Sequence, residues 1–226
     1  EDSSHSIDGN KLLHWSIKTQ NQQSIVYLLD KEKVSVETLE EGSTPLHTAS
    51  LYGNAQAVSL LLARGANIEA KFGEDEFTPL HLAAQEGHEK ALETLLSQTI
   101  NLEAKTRFWG TTPLLEASMR GHTQATILLL KAGANPNSQM NHTKVTPLHN
   151  LAAQGIIRAI HAMICSGAFI NAKNLAGETP LHWALRHQKR DAIRALIRHA
   201  DLYNEDIYSK AFLRQVISLA LGSTTR

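Results

Sequence analysis

Twelve histidines among 226 residues make metal ligation or acid–base catalysis the first chemistry to weigh. A metal needs several ligands at one point, and neither a His-Glu-x-x-His run nor a Cys/His pair at ligand spacing is present. His14, His47, His81, His149 and His182 instead occupy one recurring slot, separated by steps of 33 or 34 residues or a multiple of them. Side chains placed once per period are strung out along a chain and do not converge. Their expected role is that of neutral imidazoles bonding backbone groups of an adjoining loop. His88 and His122, each just after a glycine, read the same way. Cys165 is the single cysteine, so neither an intrachain disulfide nor a multi-cysteine metal site can form. Its counterparts in other units are Ala63, Ser97, Lys131 and Arg198, a slot that accepts charge and therefore faces solvent. An ordinary surface thiol is expected, not a nucleophile. With no Gly-rich phosphate loop and no Gly-x-Ser-x-Gly elbow, catalysis, a metal and a cofactor are all expected to be absent.

The elements that position these side chains are repeats. Thr44-Pro45-Leu46-His47, Thr78-Pro79-Leu80-His81, Thr112-Pro113-Leu114-Leu115, Thr146-Pro147-Leu148-His149 and Thr179-Pro180-Leu181-His182 have threonines 34, 34, 34 and 33 residues apart. A fixed period of this size means a solenoid, in which each unit buries its apolar face only against its neighbours. Leu13-His14 lies 33 residues before Leu46-His47, with Lys11-Leu12 in place of Thr-Pro, and makes a degenerate first unit of six. In each unit the Thr suits an N-cap and the Pro the first helical position, where no N–H is needed. A short first helix ends at Gly53, Gly87, Gly121 or Gly155. A second carries Leu60-Leu61-Leu62, Leu95-Leu96, Leu128-Leu129-Leu130, Met163-Ile164 or Leu196-Ile197, and stops at Gly65, Gly133 or Gly167. Glycine at such points allows the left-handed turn that reverses the chain. A polar segment of roughly ten residues then leads to the next Thr, enough for a β-turn finger.

The Thr-Pro-Leu-His-x-Ala core resembles that of ankyrin repeats, as do Gly87-His88, Gly121-His122, Gly65-Ala66-Asn67 and Gly133-Ala134-Asn135. The resemblance covers about residues 8 to 203. It implies an all-α ankyrin-repeat solenoid, each unit a helix–turn–helix plus a β-turn finger, with a concave groove. Repeats are expected at 8–40, 41–74, 75–108, 109–142, 143–175 and 176–205, as a single domain spanning 1–226. Four positions depart from the pattern. Leu115 replaces the motif histidine, and Thr99 stands where the second-helix glycine belongs. Gln188 and Ala200 replace both glycines of the sixth unit. A β-branched Thr at positive φ is costly, so the end of that helix is expected to be remodelled. The segment 206–221 reads as a capping helix. Its pattern runs from Glu205 to Leu221, with Ile207, Ala211, Phe212, Val216, Leu219 and Ala220 on one face and Lys210, Arg214 and Gln215 on the other.

Composition narrows the function classes. Lys plus Arg and Asp plus Glu each total 22, so the net charge is zero and the pI near 7.4, which argues against a generic nucleic-acid binder. Hydrophobic content of 42% and charged content of 19% suit a folded, soluble chain. Ala159 to Ala172 is the least polar stretch and is too short to cross a bilayer. The expected setting is the cytoplasm or nucleus, or the host cytosol for a secreted effector. No signal peptide is visible, but the chain starts at Glu1 and not at Met, which leaves a longer parent protein open. Charge is unevenly spread. Residues 1–113 hold 16 acidic and 9 basic side chains, a net of −7, and residues 114–226 hold 6 and 13, a net of +7. Stacking turns this into an end-to-end dipole that can orient a partner.

The ankyrin resemblance implies that finger tips and the last residues of each first helix line the groove. Those positions hold Leu51 and Tyr52, Phe77 with Gln85 and Glu86, and Phe108 and Trp109 with Met119 and Arg120. Then come His142 and Val145 with Gln154, and finally Arg186 and His187. A solvated finger needs no aromatic ring, so Tyr52, Phe77, Phe108 and Trp109 read as binding anchors. Trp15 and Trp183 follow the motif histidine, and for them core and contact are both open. The expected function is a non-catalytic, monomeric module binding a protein or extended peptide in its groove. The alternative is the targeting domain of a larger protein, such as a ubiquitin-ligase adaptor or a bacterial effector acting in a host cell.

Overall fold

The structure, a computed structural model, describes residues 9–200 and 208–221. Six antiparallel helix pairs follow one another: α1 (Gly9–Lys18) with α2 (Gln22–Asp30), α3 (Pro45–Leu51) with α4 (Ala55–Ala63), and α5 (Pro79–Glu86) with α6 (Glu89–Leu96). They continue with α7 (Pro113–Arg120) and α8 (Thr123–Lys131), α9 (Pro147–Gln154) and α10 (Ile157–Cys165), then α11 (Pro180–Arg186) and α12 (Arg190–Ile197). A thirteenth helix, α13 (Lys210–Leu221), closes the array. Odd-numbered helices pack on odd and even on even, giving an inner and an outer row. Among the described residues there is no strand, only the isolated bridges Glu40–Ser43 and Phe72–Phe77 inside two fingers. Among them, too, no helix is long and apolar enough to cross a membrane.

Helices of seven to ten residues from α1 to α12 are too short to persist alone, so packing must hold them. The motif leucines Leu46, Leu80, Leu114, Leu148 and Leu181 are buried between the rows, each a gain of about 1.5–3 kcal/mol. Ala49, Ala83, Ala117 and Ala184, also buried, let the rows approach closely. Each inner helix from α3 to α11 starts at a Thr in extended backbone followed by Pro. In four of them the histidine completes a capping box, accepting the Thr backbone N–H at Nδ1 over 3.3 Å (3.1 Å at Thr179).

The chain reverses inside each pair at a left-handed residue. At Gly87 (φ 70°) a Cβ would lie 2.5 Å from the ring of His122, so glycine is needed both for the dihedral and for the next unit's side chain. Gln188 keeps the left-handed turn at φ 54°, as does Gln20 at φ 56°. The sixth unit therefore retains the reversal despite losing its glycine, and no further helix pair among the described residues brings a ring against Gln188. Thr99 does not take positive φ, and α6 ends at Leu96 with the Ser97 hydroxyl donating to the Thr94 carbonyl (2.7 Å). Asn-x-Glu steps stitch the outer edge together. The Glu37, Glu69 and Glu103 carboxylates accept the backbone N–H of Asn67, Asn101 and Asn135 (2.6–2.7 Å), and Asn137 does the same for Phe169.

The C-terminal helix begins later than its pattern suggested. Ser209 caps it by accepting from Phe212 N (3.2 Å), and Glu205 to Ile207 lie outside the described residues. Val216 and Ala220 are buried and Phe212 and Leu219 half-buried, whereas Ala211 is exposed, because α13 leans on α12 and only touches α11.

Candidate functional site

Three of the motif histidines tie a finger to the helix beneath it. His47 Nε2 donates to the carbonyls of Ala70 (2.9 Å) and Phe77 (3.1 Å), His81 Nε2 to Thr111 (3.0 Å) and His149 Nε2 to Glu178 (3.0 Å). Because Nδ1 accepts a backbone N–H, the proton must sit on Nε2, and the ring is held neutral. Burial pushes His47 and His149 below the usual histidine range and His81 down to about 4. His14 differs: its Nδ1 meets the Thr48 hydroxyl (2.7 Å) and Nε2 the Thr38 carbonyl (3.4 Å). His88 and His122 bond the carbonyls of Leu51 and Gln85 (both 2.9 Å), the preceding inner helix and not a finger. Among the described residues no three His, Cys, Asp or Glu side chains gather as a ligand set, and Cys165 is exposed.

Leu115 breaks the histidine series. It is fully buried and packs on Met140 and Val145 of the following finger, with Trp183 against the same cluster. The neighbouring Glu116 is buried too, and its Oε1 accepts from the Thr111 hydroxyl (2.6 Å), which in turn meets the Thr106 hydroxyl (2.8 Å). Burial raises the Glu116 carboxyl, with the Thr111 bond acting against that rise.

Adjacent finger tips are joined backbone to backbone. Arg107 N donates to Asp75 O (2.9 Å), Asn141 N to Trp109 O (2.9 Å), and Leu175 N to Thr143 O (2.8 Å). The Asp75 carboxylate also accepts from Phe108 N (2.6 Å), which turns the next two side chains outward. Phe108 and Trp109 are 49% and 54% exposed, with the Arg107 guanidinium 5.8 Å from the Phe108 ring and His142 edge-on to Trp109 at 6.5 Å. The structure thus brings Phe108, Trp109 and His142 together on neighbouring fingers. Met119 and Arg120, both exposed, end the inner helix α7 directly after that finger.

The other candidates are more dispersed. Tyr52, exposed, caps α3, and Leu51 beside it is half-buried. Phe77 is half-buried, its ring edge-on to His81 at 5.8 Å, so it serves the finger as well as the surface. Glu86 is exposed and accepts from Gln85 Nε2 (2.9 Å). Arg186 is exposed but paired with Glu178, and His187 is exposed at the end of α11. Two expected groove positions are not available. Val145 is in the core against Leu115, and Gln154 turns inward to donate to the Ser118 carbonyl (2.8 Å). Trp183 is half-buried with its indole N–H on Glu178 (2.8 Å), while Trp15 is exposed. Leu39 and Leu175, 61% and 67% exposed in fingers, were missed. An apolar residue inside an otherwise polar finger is the signal that marks them.

A family model described as ankyrin repeats matches the chain three times, over residues 1–72, 72–140 and 135–210. Among solved structures the chain is similar to the ankyrin repeat domain of Bcl-3, described as a unique member of the IkappaB protein family. The identity is 25%, covering 95% of this chain and 100% of that one with a TM-score of 0.79. No curated protein sequence matches it. Since 553 solved chains match, the fold by itself selects no ligand.

Proposed function

The chain belongs to the ankyrin repeat family, whose members generally bind proteins, and from that premise we propose that it is a non-catalytic module holding a protein or extended peptide on its concave side. One observation carries the reading: two large aromatic side chains, Phe108 and Trp109, project into solvent from a finger that is itself rigidly bonded on both sides. A flexible loop would lose entropy on binding, whereas this finger is already ordered. Exposed Trp and Tyr flanked by Arg are the side chains that dominate binding hot spots. Tyr52, Met119, Arg120 and His142 extend the surface, Leu51, Phe77 and Glu86 border it, and Arg186 and His187 continue it toward the basic end. An interface of about 1,600 Å² would fit such a groove.

Partner capture from eukaryotic lysate tests this, comparing the native chain with a Phe108→Ala, Trp109→Ala variant of unchanged melting temperature. A protein kept by the first and lost by the second supports the reading, and equal capture by both removes this finger from the site. Trp109→Ala alone should weaken binding to that partner by about 2 kcal/mol with little change in folding.

A further inference from the structure

Among the described residues α11 is the last helix of the inner row, and its histidine differs from the others. His182 Nδ1 accepts from Thr179 N (3.1 Å) and meets the Thr179 hydroxyl (2.8 Å), so its proton lies on Nε2 as in the interior units. At His47, His81 and His149 that N–H donates to a carbonyl of the following finger. At His182 it meets no acceptor among the described residues. The ring is nevertheless packed on aromatics, stacked with Phe212 at 4.1 Å and Tyr208 at 5.5 Å, which stack on each other at 5.4 Å. Tyr208, buried, is anchored by its hydroxyl donating to Asn171 (2.9 Å). Among the described residues, the C-terminal helix therefore supplies the aromatic cover that a further unit would give but no carbonyl.

Because α13 leans on α12, a cleft of about 610 Å³ remains between α11 and α13. That volume is in the range that holds small ligands and peptide segments. His182 lines it, with Leu185, Phe212 and Leu219 as apolar wall and Arg214 and Gln215 on the polar rim, where the Glu178 carboxylate also lies, its charge paired with Arg186. Arg214 is exposed and makes no ion pair among the described residues. The surrounding half of the chain carries the net charge of +7, with Lys189 and Arg190 close by in sequence to the α11 end.

We propose that this cleft docks an extended acidic segment of a partner protein, with one of its carbonyl or carboxylate oxygens on His182 Nε2–H, where a seventh finger would have placed a carbonyl. An acidic side chain of the segment pairs with Arg214, and an apolar neighbour lies on Phe212 and Leu219. The proposal rests on the reading of the chain as a peptide-binding module and gives the chemistry of its basic end.

The test is fluorescence anisotropy of the whole chain with a short labelled peptide that alternates leucine and glutamate, and with its leucine–lysine counterpart. The glutamate peptide should bind, more weakly as salt rises, and the lysine peptide should not. Arg214→Glu should lower affinity by about tenfold, whereas Lys131→Glu, an equal charge change on the outer row, should leave it unaltered. In a titration followed by nitrogen-15 NMR, the His182 Nε2–H signal should shift more than those of the interior histidines, a readout that does not depend on a variant folding. No binding of the glutamate peptide, equal affinity for Arg214→Glu, or an unmoved His182 signal overturns the proposal. Any of these combined with loss of the captured partner in the Phe108→Ala, Trp109→Ala variant overturns the cleft and leaves the groove reading standing.

Discussion

The finger carrying Phe108 and Trp109 is held from below by an imidazole, and the finger after it by a leucine. His81 reaches the first through a directed hydrogen bond to Thr111, while Leu115 reaches the second by burial against Met140 and Val145. Both side chains are fully buried at the same slot of neighbouring inner helices, and both leave a finger in contact with its neighbours. The slot therefore requires a way to hold the next finger, not a histidine. What differs is sensitivity. A leucine has nothing to titrate, whereas a neutral imidazole must shed its partners to accept a proton at Nδ1, where two donors already point.

Three substitutions probe that difference. Leu115→Ala should cost the most, about 3 kcal/mol, since it removes transfer energy and leaves a cavity under the finger. Its cost, read from the first urea-unfolding transition, should be the same at pH 7 and pH 5. A strong pH dependence would show that the leucine latch is not purely apolar.

His81→Leu copies the neighbour's solution and should lose about 2 kcal/mol at pH 7 through the bonds to Thr78 and Thr111. The folded-state pKa of His81 lies below its unfolded value of about 6.5, so the unfolded chain binds the proton more readily. The contribution is complete above pH 6.5 and is lost as pH falls toward 4. His14, His47, His149 and His182 are lowered by burial as well and act in the same direction. Native and variant unfolding midpoints should converge as pH approaches 4, and a constant gap between them would refute the latch mechanism.

Glu116→Gln is the smallest change. Its raised carboxyl pKa works in the opposite sense, stabilising the fold as pH falls through the window above 4.5. Glutamine should raise the melting temperature at pH 7 and less so at pH 5, where the native carboxyl has begun to take up its proton.

How much of this could be read from the sequence depends on the range of the interaction. The Thr-Pro-Leu-His spacing located every inner helix from α3 to α11, because capping and the motif leucine act within a few residues of themselves. The finger surface was less legible. Phe108 and Trp109 point outward because Asp75, one unit earlier, captures the Phe108 N–H, and Val145 points inward because Leu115 offers an apolar seat. Neither cause lies in the local sequence. The Asn-x-Glu ladder was visible at Asn67 to Glu69 and Asn101 to Glu103, but a single period shows only polar turn residues. The pairing of each Glu with the next unit appears when periods are aligned. The tilt of α13 depends on how Tyr208 and Phe212 stack on His182, and helical periodicity carries no information about that.

The turn residues inside the helix pairs bear on how an array like this can lengthen. Gly53 and Gly87 leave open the volume that the ring of the following unit occupies, while Gln188 fills its own. Each unit thus records in one residue what kind of successor it accepts. A copy of a middle unit placed after Gln188 would drive its ring into the glutamine side chain. A ring-bearing unit therefore fits after a glycine turn and not after a glutamine one, and a single turn residue sets which kind of neighbour can stack there.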